Sequence, residues 1–129
     1  MPPKKILVAE DDPNSMYLAT VLLRTKDYLV LEATTGKQTV AVAFAEKPDL
    51  ILMDIGLPDI NGLEAIRILK QDPETKDIPI VAVTAYAMTG DCERFLDAGC
   101  DGYVSKPLDV KNFLAEVASF LKESPSGRS

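Results

Sequence analysis

Five times along the chain, a short apolar run stops at a polar or charged residue and gives way to a segment with helical apolar spacing. That alternation constrains the fold more than any other feature. The first run, Ile6-Leu7-Val8-Ala9, ends abruptly in Glu10-Asp11-Asp12-Pro13. Runs this short, and apolar at every position, suit strands buried on both faces, as in a parallel sheet. Asp12 then stands where a helix N-cap would, with Pro13 at the first helical position. Met16, Thr20 and Leu23 give that helix an inward stripe.

The pattern continues with a strand over 28–32 and a helix over 36–46, whose inward residues are Val40, Ala43 and Phe44. Leu50-Ile51-Leu52-Met53 is the most apolar run and predicts a central third strand. Residues 58–62 read as a loop from their Pro, Asp, Asn and Gly. Leu63, Ile66 and Leu69 mark helix three, 80–83 strand four, and Met88, Cys92 and Phe95 a helix four that stops near Gly99. Strand five covers 102–105. Asp109 caps helix five, with the stripe Val110, Phe113, Leu114, Val117 and Leu121. Five βα units with short connections predict an α/β fold: a doubly wound five-stranded parallel sheet, flavodoxin-like (βα)5, with strand order 2-1-3-4-5 and right-handed crossovers. Residues 1–123 read as one domain and 124–129 as a disordered tail.

In such a sheet, ligands bind beyond the carboxyl ends of the strands, at the switch point between strands one and three. The residues there are Glu10 and Asp11 after strand one, Asp54 after strand three, Thr84 after strand four and Lys106 after strand five. Strand two ends in Thr34 and Thr35, off to the side. An acid after a strand is commonly a turn former or a helix cap, and a lone Thr or Lys there is commonly an ordinary surface residue. Their conjunction carries the weight. Three crowded carboxylates repel unless protonated or sharing a cation. With no histidine in the chain and no useful thiol nearby, Mg²⁺ fits the donors better than a softer metal. The set offers a carboxylate nucleophile, a metal, a fixed cation and a hydroxyl donor, which is what phosphoryl transfer needs.

The segments ILVAEDD (6–12), PDLILMDIGLPDINGLE (48–64), IPIVAVTAYAM (78–88) and GYVSKP (102–107) resemble the receiver domains of two-component response regulators, from about Lys5 to Leu121. The stretch VTAYAMTGDCERF with GCDGYVSKP is similar to DivK-type single-domain receivers and to hybrid-kinase receivers. The resemblance implies that Asp54 is the phosphoacceptor. Asp11 would ligate Mg²⁺ directly, Glu10 through water, and Gly56 through its backbone carbonyl. Thr84 and Lys106 would bind phosphoryl oxygens, and Tyr103 would be the switch aromatic. A cis bond at Lys106-Pro107 would turn the lysine inward. Gly56 and Tyr86 would flank the approach of water to the phosphate and set its lifetime. The implied partners are a histidine kinase or histidine phosphotransfer protein, and a downstream protein on the face of helix four, strand five and helix five. Two positions depart from the usual pattern: Glu10, where Asp is commoner, and Thr39, where a small alanine is frequent.

Other classes are disfavoured. Acids outnumber bases 20 to 14, giving a net charge of −6, the wrong sign for a nucleic-acid surface. The start, Met1-Pro2-Pro3-Lys4-Lys5, is followed by only four apolar residues before Glu10, too few for a signal peptide, and no run approaches the roughly 18 of a membrane span. A cytoplasmic chain with reduced Cys92 and Cys100 is expected, and Met1 with the serine-rich tail suggests a stand-alone receiver. An aspartyl-nucleophile phosphohydrolase would want an acid two residues after its nucleophile, where Gly56 stands. A flavin or nucleotide carrier would want a phosphate-binding loop where Glu10-Asp11-Asp12 stands. The chain is therefore expected to be no enzyme beyond its own phosphorylation and dephosphorylation.

Overall fold

The computed structural model describes residues 3–54, 62–84, 97, 99–105 and 109–121. Their elements run β1 (Lys5–Ala9), α1 (Pro13–Arg24), β2 (Leu29–Ala33), α2 (Gly36–Glu46), β3 (Leu50–Asp54), α3 (Gly62–Gln71), β4 (Ile80–Thr84), β5 (Gly102–Ser105) and the C-terminal helix α4 (Val110–Phe120). The five strands form one sheet in the order β2-β1-β3-β4-β5, all neighbours parallel. Fold class and strand order are as the sequence predicts, and strand limits agree to within a residue. The stripe expected for a fourth helix (Met88, Cys92, Phe95) and the tail over 124–129 lie outside the described residues.

Strand side chains alternate between the two faces, and two cores result. Leu7, Ala9, Ile51, Met53, Ile80 and Ala82 pack with residues of α2 and α3. Ile6, Val8, Leu50, Leu52, Val81 and Val83 pack on the other face, with Met16 and Leu23 of α1 and Phe113 and Val117 of α4. Burial on both faces is why these strands read as continuous apolar runs.

The helix starts are fixed chemically. Asp12, Thr35 and Asp109 each cap a helix, accepting from the backbone N–H of Ser15, Gln38 and Lys111. Two expected stripes need adjustment. Val110 is 51% exposed, although its spacing from Phe113 and Val117 placed it inward. Side chains lean toward the N-terminus of their helix, so the first residue of α4 reaches past the sheet. In α2 the deepest residues are Gly36, Thr39 and Ala43, while Val40 and Phe44 are partly buried at the flanks. Small residues let the helix approach closely, and the Thr39 hydroxyl is satisfied by donating to the Thr35 carbonyl at 2.8 Å.

At the amino ends of β4 and β5, Lys70 acts as a staple. Its Nζ donates to the carbonyls of Lys76 (3.1 Å) and Ile78 (2.8 Å) and to Asp101 Oδ2 (2.9 Å). Asp101 Oδ2 also accepts the Ile80 N–H at 2.8 Å. Nearby, the buried Cys100 thiol lies 2.8 Å from the Gly102 carbonyl and 3.1 Å from that of Ile80.

Candidate functional site

The acids gather because of register. Ala9 pairs with Met53, so the next residues, Glu10 and Asp54, leave adjacent strands side by side. Glu10 is 5% exposed, and its backbone N–H donates to the Ala33 carbonyl at 2.9 Å, extending the β1–β2 ladder by one bond. Asp11 is exposed and Asp54 half-buried. One carboxylate oxygen from each of Glu10, Asp11 and Asp54 lies within 4.8 Å of the others. At an effective dielectric of about 20, like charges at that spacing repel by about 3 kcal/mol, less where water screens them. The arrangement favours a cation, and three carboxylate oxygens suit a hard divalent ion.

The remaining predicted site residues divide into two groups. Thr84 ends β4 opposite Ser105, one position beyond the Asp54–Val83 pair, so its backbone stands at the same rim; its side chain lies outside the described residues. Gly56, Tyr86, Lys106 and Pro107 also lie outside them, and with them the Lys106-Pro107 bond. Tyr103 on the edge strand β5 is 44% exposed. A cavity of about 380 Å³ opens beside the acids, between α1 and β2, and includes Glu10, Asp11, Tyr17, Arg24 and Glu32 in its lining. Three carboxylates around it oppose a phosphate-bearing nucleotide.

One participant was not foreseen as such. The Asp12 backbone N–H donates to Glu10 Oε2 at 3.1 Å. The sequence identifies Asp12 as a helix cap, and an amide contact reaching back two residues leaves no signature in residue types.

The pattern of the response regulator receiver domain family matches residues 6–118. This chain belongs to that family. The receiver is 40% identical over 122 residues to the polar-differentiation response regulator DivK of Brucella anthropi, covering 95% of this chain and 99% of the relative. Among solved structures it is similar to the receiver domain of a sensor histidine kinase from Pseudomonas aeruginosa PAO1. That match has a TM-score of 0.88 and 31% identity, and covers 95% of this chain and 100% of the other. That structure carries a magnesium ion coordinated in its active site cleft. The CheY-like receiver domain protein of Methanospirillum hungatei JF-1 is similar with a TM-score of 0.86 and 28% identity, over 94% and 95% of the two chains. No helix among the receiver's described residues is long and apolar enough to cross a membrane.

Proposed function

We propose that this receiver takes a phosphoryl group onto Asp54 from the phosphohistidine of a histidine kinase or histidine phosphotransfer protein. The observation that carries the reading is the convergence of Glu10, Asp11 and Asp54 oxygens at the carboxyl ends of β1 and the central β3. An Asp54 carboxylate oxygen attacks phosphorus, the P–N bond to imidazole breaks, and an acyl phosphate forms. Glu10, Asp11, Asp54 and the Gly56 carbonyl would hold Mg²⁺, which when bound offsets the negative charge of the acids and the phosphoryl group. Thr84 and Lys106 bind the phosphoryl oxygens.

The signal passes through Thr84 and Tyr103 to the face of the helix expected around 88–95, β5 and α4, where a downstream protein binds. The exposed ring of Tyr103 supports that reading, because its position leaves it room to move. Phosphorylation shifts a population between two states rather than creating a new one. Gly56 offers no side chain to orient water and Tyr86 shields the phosphate, so the acyl phosphate is long-lived. The chain performs no chemistry beyond its own phosphorylation and dephosphorylation, acts in the cytoplasm and contacts neither nucleic acid nor membrane. Its receiver unit spans 1–123, of which the family pattern covers 6–118.

The test is intact-mass spectrometry after incubation with a small phosphodonor and Mg²⁺. Wild type is expected to gain one phosphate, and Asp54→Asn none. A phosphate adduct on Asp54→Asn would overturn the assignment of the acceptor.

A further inference from the structure

Glu10 is longer than the aspartate common at its position, and its extra rotatable bond must be frozen for its carboxylate to sit in the cluster. Its Oε2 accepts the Asp12 backbone N–H at 3.1 Å. That N–H is itself held from two sides. Pro13 confines Asp12 to extended backbone, and the observed φ of −85° and ψ of 120° comply. The Asp12 side chain then ties the same residue to the first turn of α1. Its Oδ2 accepts both the backbone N–H and the hydroxyl of Ser15, each at 2.9 Å.

We infer that Asp12 is a positioning residue for the metal site: its helix cap aims its own backbone N–H at Glu10 and so presets the carboxylate for Mg²⁺. This rests on the reading of Glu10, Asp11 and Asp54 as the Mg²⁺ ligands. Proline alone restricts the backbone region of Asp12 but does not fix the first turn of α1 relative to β1. The cap supplies that second anchor. A buried carboxylate also needs hydrogen-bond donors, and this amide is one. Groups that orient metal ligands from behind typically change metal affinity by roughly ten- to a hundredfold when removed. Because Pro13 remains, the loss here belongs at the lower end, roughly tenfold.

The experiment is calorimetric titration of the full chain with Mg²⁺, with melting in EDTA as the companion measurement. Asp12→Ala removes the cap. Asp12→Asn and Asp12→Ser keep a good cap without the charge. The expected result is a Mg²⁺ dissociation constant roughly tenfold weaker in Asp12→Ala and near wild type in Asp12→Asn and Asp12→Ser. A mere helix cap would lower the Asp12→Ala melting temperature in EDTA and leave its Mg²⁺ affinity unchanged well below melting; that outcome overturns the proposal. Equal weakening in Asp12→Ala and Asp12→Asn also overturns it, because the effect would then be charge. Asp11→Ala tests the underlying reading separately. If wild type and Asp11→Ala bind Mg²⁺ alike, the ligand assignment itself fails, and the role of Asp12 falls with it.

Discussion

Single side chains here do work that their types only partly announce. Glu10 is read from the sequence as a site acid, and its burial follows from the register of β1 against β2 and β3, which carries it into the sheet beside Ala33. Thr39 resembles a misplaced polar residue, yet it lies in the deepest part of α2 because its hydroxyl bonds within its own helix. Cys100 was read simply as a reduced thiol. Burial pushes its pKa up, only partly offset by hydrogen bonding from the backbone of Gly102 and Ala82, so the unreactive protonated form dominates at neutral pH. Brief iodoacetamide treatment of the folded protein at pH 7.5, followed by peptide mapping, is therefore expected to leave Cys100 unmodified, whereas treatment in denaturant alkylates it. Rapid labelling of Cys100 in the native protein would contradict this account of its environment.

Among the elements, the strands were the most legible part of the sequence, because a buried parallel strand has no exposed side to disguise it. Helix faces were less so. Periodicity gives the spacing of a stripe but not where the sheet beneath it ends, which is why Val110 reads as inward and stands exposed. Nor does it say which of several small residues allows the closest approach, as in α2. The fit of β5 against α4 is similarly specified by contact. A Cβ built on Gly102 would collide with the Phe120 ring. Gly102→Ala should therefore displace that partly buried ring and destabilise the protein by about 1 kcal/mol, the low end for overpacking, measured by urea denaturation. Unchanged stability would mean that Phe120 can leave β5 at no cost.

For the whole molecule, the acidic cluster was legible because its acids each follow or end a strand, and a parallel sheet delivers every such position to one rim. What the sequence could not supply was distance: the approach of three carboxylate oxygens to within 4.8 Å depends on the β1–β3 register. If the cluster holds Mg²⁺ as proposed, that crowding should make global stability respond to the ion. At tenfold excess over the dissociation constant, binding to the folded state alone adds about 1.4 kcal/mol, which for a domain of this size raises the melting temperature by roughly 4–7 °C. Asp54→Asn should melt higher than wild type in EDTA and gain less from Mg²⁺. Thermal scans of both proteins, with and without the ion, check the two signs together. The Lys70–Asp101 staple stands at the opposite rim, where β4 and β5 begin. Were β4 and β5 to twist relative to one another, that anchored end would act as the fulcrum, and displacement would grow along the paired strands toward Thr84 and Ser105.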